Sequence, residues 1–333
     1  MLAFLPPLMA HLLAHTLALR LRRSQPPSYT SEVVAAKQAW AVFFVPEAPH
    51  PGSVLGRYIP MRDDLALRLL RGENPCAVLR DGVPYVNYAA CPVEDVPPGI
   101  DPNPGTIALY GIRFDNLGPK YRRYALLAAN WLVRHQGEDG AWHVPFPVPG
   151  EDLPKGWVSA MYQGAAISLL LRVYQETGER VYLAAATRAL APFYRPYGQG
   201  GVVADTPYGP FPQEYTSPSP PSVLNGGLTA IFGLLDYERA TGRTIPLVAA
   251  FVATLHRLLP HLTLPGWACY QLRPCQVASP FYMGVATTQL YYLGEVLHDS
   301  LLLAWAKRWE ADFAPPFAGA AARERAAYGI LPP

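Results

Sequence analysis

Three times between residues 158 and 313 the chain repeats one pattern. An apolar segment of helical period is followed by a short joint of small or polar residues, and then by a second helical segment. The pairs are 158–177 with 180–194, 222–241 with 245–259, and 282–297 with 300–313, joined at Thr177-Gly178, Thr241-Gly242 and His298-Asp299. A joint of this kind suits the left-handed C-cap of a tight helical hairpin. A further pair, 106–116 with 121–135, precedes them. The first helices of the last three pairs begin about sixty residues apart, near 158, 222 and 282. Such hairpins bury their apolar faces against one another. The spacing therefore predicts a mainly α chain: an (α/α) barrel of about four helical hairpins with a small N-terminal helical and β-hairpin extension.

The expected division is an N-terminal extension over 1–102, the barrel over 103–316 and a tail over 317–333. Within the extension, 29–45 reads as a helix, 46–60 as a Pro- and Gly-rich connection and 61–71 as a short amphipathic helix. Cys76 to Tyr88 alternates around Asp81-Gly82, a hairpin signal. Residues 2–19 are apolar but hold Pro6, Pro7, His11 and His15, and Arg20, Arg22 and Arg23 follow them. A secretory signal carries its positive charge before the apolar run, so the expected location is cytoplasmic or membrane-associated. A helix packed on the body and one lying on a membrane fit residues 1–23 equally.

With half of 333 residues apolar and 16% charged, the chain is globular with a large core. A net charge of +2 argues for no nucleic-acid partner. The cysteines, Cys76, Cys91, Cys269 and Cys275, lack zinc-site spacing, and no metal is expected. Free thiols are the default, although a loop returning on itself could bridge Cys269 to Cys275.

Short joints put one end of a hairpin ring in tight turns and leave the other to the long links, 136–157, 195–221 and 260–281. Long loops in a compact domain usually carry function. Two stretches there hold the chemistry: 213–226, with Glu214 and Tyr215, and 269–275, with Tyr270 and Arg273, followed by Tyr282. Arginine pairs with a carboxylate through a planar fork. A tyrosine is a poor base near pKa 10, but a neighbouring guanidinium would lower that value. Two acid/base groups and one carboxylate clamp suit removal of a proton α to a carboxylate. A stacked Tyr–Arg pair and a solvated Glu214 explain the same residues without any chemistry.

The wording of several blocks is more specific. The run 156–168, Gly-Trp-Val-Ser-Ala-Met-Tyr-Gln-Gly-Ala-Ala-Ile-Ser, resembles a signature of the D-glucuronyl C5-epimerase C-terminal domain. So do Arg172-Val173-Tyr174, Glu214-Tyr215 with the later Val223-Leu224-Asn225-Gly226, Phe232 to Asp236, Tyr270-Gln271-Leu272-Arg273, and Tyr282 with Gln289-Leu290. The resemblance implies inversion of C5 of D-glucuronate in a heparan-like polymer to L-iduronate, without a cofactor, and by family habit a homodimer. It implies catalytic roles for Tyr215, Tyr282, Glu214 and Tyr270 and a substrate-carboxylate clamp in Arg273. Tyr215 and Tyr282 would be the acid/base groups, Glu214 would tune them and Tyr270 would support the intermediate. Trp157, Gln163 and Asn225 are further candidates for substrate binding, each with a structural alternative: stapling a loop, bonding framework groups, and satisfying a helix start. Met283 and Ala286 replace the histidines expected after Tyr282, which bears on the substrate more than on the reaction. Tyr162 stands where a small residue is usual; packing on a neighbouring helix is the expectation, narrowing of the cleft the alternative.

Three other readings remain at this point. A polysaccharide lyase forms the same carbanion and expels the 4-substituent. A glycoside hydrolase needs two opposed carboxylates, for which Glu214, Asp205 and the Glu151-Asp152 pair are the candidates. A non-catalytic glycan-binding protein could keep the fold alone.

Overall fold

The computed structural model describes residues 64–92 and 96–313. The expected apolar N-terminus, the helix over 29–45, the connection over 46–60 and the tail over 317–333 lie outside these residues. The described residues begin with a short helix, α1 (Asp64–Leu70), and a meander of β1 (Ala77–Arg80), β2 (Val83–Asn87) and β3 (Ile100–Asp101). β1 and β2 pair with Arg80 opposite Val83, so Asp81 and Gly82 alone make the turn, with φ of 52° and 78°. Two successive positive φ values match the right-handed twist of the strands, which is why the Asp-Gly signal was reliable.

Four helical hairpins follow. They are α2 (Pro104–Asn116) with α3 (Arg122–His135), α4 (Ala160–Thr177) with α5 (Arg180–Arg188) and the short α6 (Ala191–Tyr194), α7 (Leu224–Thr241) with α8 (Pro246–Leu262), and α9 (Pro280–Leu297) with α10 (Ser300–Phe313). The joints are as the sequence implied: Gly178, Gly242 and His298 are all left-handed at φ 72°, 69° and 53°. Asp299 then accepts from the N–H groups of Leu301 and Leu302, capping α10.

The first helix of each hairpin is inner and the second outer. α2 packs on α4, α4 on α7 and α7 on α9. Burial runs around the full circumference of α2, α4 and α7. α8 buries one stripe, including Val248, Phe251, Leu255, Leu258, Leu259 and Leu262, at the three-to-four spacing of an outer helix. The order is that of a helical-hairpin array, and the described residues show it as an arc of four inner helices.

The tightest contact is between α4 and α7. A Cβ on Gly164 would stand 2.6 Å from the Ala230 Cα, and one on Gly233 would strike the Gly164 carbonyl. Both obstacles are backbone, which cannot turn aside. Gly233→Ala should therefore cost roughly 3 kcal/mol or more by overpacking, read as a lower midpoint of thermal or urea unfolding.

The long links are not plain loops. Link 195–221 holds a two-stranded hairpin, β4 (Val203–Thr206) with β5 (Gly209–Pro212). Beyond α8, β6 (Thr263–Leu264), β7 (Trp267–Gln271) and β8 (Gln276–Val277) form a small sheet. All five residues of β7 are buried, so its in-out alternation is hidden. The free-thiol default is overturned, since both cysteine pairs are bridged. Cys269 and Cys275 face across the β7–β8 turn with Cα atoms 5.4 Å apart, and Cys76 and Cys91 close the β1–β2 hairpin at 5.1 Å. Strand pairing brings them within bridging distance, which spacing alone did not show. Among the described residues no helix is long and apolar enough to cross a membrane.

Candidate active site

The site lies where the inner helices begin. The N–H of Ala160, first in α4, donates to the Gln213 carbonyl at 2.9 Å, and the Thr216 hydroxyl donates to the Val158 carbonyl at 2.8 Å. The Gln213 side chain ties its own loop shut: its amide donates to the Phe211 carbonyl and the Ser222 hydroxyl, and its oxygen accepts from the Ser222 N–H at 3.0 Å. Val223 then bridges to Gln271, and the N–H groups of Leu272 and Arg273 donate to the Pro221 carbonyl at 3.0 and 3.2 Å. The two stretches singled out by the sequence are thus one backbone-bonded unit.

Tyr270 rides on β7 and Tyr282 on the first turn of α9, where Ser279 caps the helix by accepting from the Tyr282 N–H at 3.3 Å. The two rings lie 4.4 Å apart at 47°, and the two phenols are hydrogen-bonded to each other. Tyr215 lies 5.9 Å from Trp157 between ring centroids, and the Tyr215 hydroxyl bonds to Glu214.

Glu214 is 7% exposed, and its Oε2 has no hydrogen-bond partner among the described residues. A buried carboxyl oxygen without a partner is uncommon and calls for a functional account. Burial pushes the Glu214 carboxyl up to about 8; Tyr215 opposes this as a donor, and the charge of Glu151 adds to it. Burial also raises Tyr215, Tyr270 and Tyr282, each further raised by the charge of Glu214. This corrects the expectation of a tyrosine lowered by a guanidinium. Arg273 sits exposed at the β7–β8 turn, and among the described residues no carboxylate pairs with it. The group poised near neutrality is therefore Glu214, and the tyrosines hold their protons.

Glu214 fits because Gly226 makes room. Gly226 is in the first turn of α7, and a Cβ there would strike the Glu214 Oε2. Gly226→Ala should displace the carboxylate toward water, lowering kcat at least about tenfold and moving the pH inflection below 8. Combining it with Glu214→Asp, which shortens the side chain, should recover part of the rate; a pH–rate profile on both variants checks this.

The other sequence candidates divide. Trp157 is buried, donates from its indole to the Phe146 carbonyl at 3.1 Å, and joins Tyr215 to Tyr162, 5.7 Å away on its other side. Gln163 is buried with its amide wholly committed: it accepts from the Trp142 N–H and donates to the Gly140 and Ala189 carbonyls. It ties the 136–142 loop to the α5 end as framework, so the structure puts its side chain to work away from the tyrosines. Asn225 lies beside Gly226, 5% exposed, with its Oδ1 unpartnered. The sequence reading missed Tyr88, Asn103 and Gly226 as site neighbours, and treated Glu151 only as a hydrolase candidate. No spacing rule links these residues; packing does. Among the described residues, no three His, Cys, Asp or Glu side chains gather as a metal site would require.

A mainly helical scaffold thus gathers a buried carboxyl group and buried to half-buried tyrosines where its inner helices begin. The chain belongs to the D-glucuronyl C5-epimerase C-terminal family, whose description matches residues 136–311. It is 30% identical over 206 residues to the D-glucuronyl C5-epimerase of Caenorhabditis elegans, covering 55% of this chain and 33% of that protein. It thus spans about a third of that relative's length. An uncharacterized protein of Methanocaldococcus jannaschii is 29% identical over 208 residues, 57% of this chain and 67% of that one. A solved UGL structure with dGlcA-Glc-Rha-Glc aligns over 92% of this chain and 73% of that one at 14% identity and a TM-score of 0.45, too remote to carry an argument.

Proposed function

We propose that the protein inverts C5 of D-glucuronate residues in a glycan, giving L-iduronate. In this reading the arc of hairpins is part of an (α/α) barrel with the cleft at its loop end. The observation that carries the reading is Glu214, a buried carboxyl with an unpartnered oxygen beside three tyrosines. Ionised Glu214 accepts the proton of Tyr215 as the Tyr215 oxygen takes the proton from C5; the C5–H bond breaks and its electron pair enters the sugar carboxylate as an enediolate. Tyr282 gives its proton to C5 from the other face, and its phenolate accepts a hydrogen bond from Tyr270. Solvent returns a proton to Tyr282 and takes one from Glu214, so the protein ends as it began. No electrons change hands overall, so the step requires no redox cofactor.

Helix geometry supports an anionic substrate. α2, α4, α7 and α9 begin around the site, as the contacts Asn103–Tyr162, Ala160–Gln213, Val223–Gln271 and Tyr270–Tyr282 show. Each helix start carries about half a positive charge, which favours a uronate carboxylate and the enediolate formed from it. Arg273 at the exposed turn would meet the carboxylate as it enters, and Asn225 offers its unpartnered oxygen to a sugar hydroxyl.

A second reading has one observation behind it: the charge of Glu151 reaches Glu214 and Tyr215, so a second carboxylate stands in the neighbourhood of the first, and glycoside hydrolysis needs a pair. Incubation with a glucuronate polymer in deuterated water separates the outcomes. Deuterium at C5 in an intact chain is expected. Shortening with an unsaturated end would mean a lyase, shortening without one a hydrolase, and no change on several glucuronate polymers a binding protein.

A further inference from the structure

Tyr162 occupies the third position of α4, partly exposed, with its ring against Trp157. Two features hold it there. The first is Gly105 on α2, where any Cβ would run into the Tyr162 ring. The second is Asn103. This residue caps α2 by accepting the Thr106 N–H on Oδ1 at 3.1 Å, which fixes the orientation of its amide. Its Nδ2 must then face outward, and it donates to both Tyr88 and Tyr162 at 3.2 Å. The Tyr162 oxygen therefore accepts, and its own proton has no acceptor among the described residues. The ring borders the site: Trp157 links it to Tyr215, and its hydroxyl shares the electrostatic surroundings of Glu214 and Tyr282.

We propose that Tyr162 is a specificity-determining residue: latched by Asn103 and seated over Gly105, it directs its phenol O–H at an oxygen of the bound uronate and sets the width of the cleft. The proposal rests on the epimerase reading and deepens it by assigning how the sugar is selected. Gly105 serves the packing of the ring on α2; the hydrogen bond from the cap residue to the phenol goes beyond what packing needs. The N-terminal strands also take part, because Tyr88, just past β2, shares the same donor.

The test uses a glucuronate oligosaccharide without sulfate and its N-sulfated counterpart, with C5 deuterium wash-in as readout. Tyr162→Phe keeps the ring and removes the donor; it should raise KM for the unsulfated probe about tenfold or more, with kcat little changed. Tyr162→Ala should widen the cleft and shift the ratio of kcat/KM toward the bulkier probe by at least about tenfold. Asn103→Ser, which retains a helix cap, should reproduce part of the KM rise by freeing the phenol. Unchanged KM and unchanged probe preference in both Tyr162 variants would overturn the proposal. A fall in kcat and melting midpoint with KM constant would overturn it too, as a structural role. Absence of wash-in by the unaltered protein would instead defeat the epimerase reading, so the two failures are distinct.

Discussion

Tyr282→Phe loses C5 deuterium wash-in by about a thousandfold or more while substrate binding stays within a few-fold. A positioned proton donor contributes roughly 10² to 10⁴ in rate, and burial has left Tyr282 protonated and so fit for that role. The tilted ring contact with Tyr270 at 4.4 Å does not need the hydroxyl, and the Ser279 cap bonds the backbone N–H rather than the side chain. The fold should therefore persist, with circular dichroism and the unfolding midpoint near those of the unaltered protein. The hydrogen bond between the two phenols is lost, at a cost of about 1 kcal/mol. Calorimetric titration of the oligosaccharide into the variant isolates binding from chemistry. Full wash-in by this variant would remove Tyr282 from the reaction.

Glu214→Gln should remove activity and add stability in the same pH range. The carboxyl titrates at about 8 in the folded protein against an ordinary value of 4.5. Its folded pKa is raised, so between those values the native state holds more of the proton than the unfolded chain. Unfolding free energy then falls as pH rises through that window, and the cost of ionising the buried group reaches up to about 4 kcal/mol near pH 8. Glutamine has no such cost. The two proteins should melt alike near pH 4, and the variant should melt progressively higher as pH approaches 8. Activity runs the other way: kcat/KM of the unaltered protein should rise with pH toward the Glu214 pKa, because only the carboxylate accepts the Tyr215 proton, and the variant should be flat and near background. Equal melting at every pH would show that Glu214 is not held in a dry environment. Improved stability with retained activity would show that it is dry but idle.

Much of the fold was legible in order along the chain. The joints at Thr177-Gly178, Thr241-Gly242 and His298-Asp299 have the left-handed caps their residues implied, and the outer helices carry the expected stripe. The Asp81-Gly82 hairpin was as clear. The strands inside the long links were not. β4, β5, β6 and β8 are too short for periodicity to register, and β7 is buried on both faces. The cysteine bridges escaped for a related reason, since pairing across a strand turn is a distance and not a spacing.

At the site, Glu214, Tyr215, Tyr270 and Tyr282 could be named from local wording, and the structure gathers all four. Gln163 shared a signature block with Trp157, but its three amide partners lie on other segments, and only packing shows that it serves the frame. Tyr162 packs on the neighbouring helix α2, as expected, but the glycine under its ring and the asparagine on its hydroxyl lie far from it in sequence and only packing shows them.

The sequence by itself determined the hairpins, their caps and the loops that carry Glu214, Tyr215 and Tyr270, because helix period and capping are short-range physics. The tertiary structure decided the environment of those residues. Burial raises Glu214 to about 8 and keeps the tyrosines protonated, where the sequence had suggested a tyrosine lowered by a guanidinium. Desolvation is summed over everything packed around a group, and the residues near Glu214 come from α4, α7, β7 and α9.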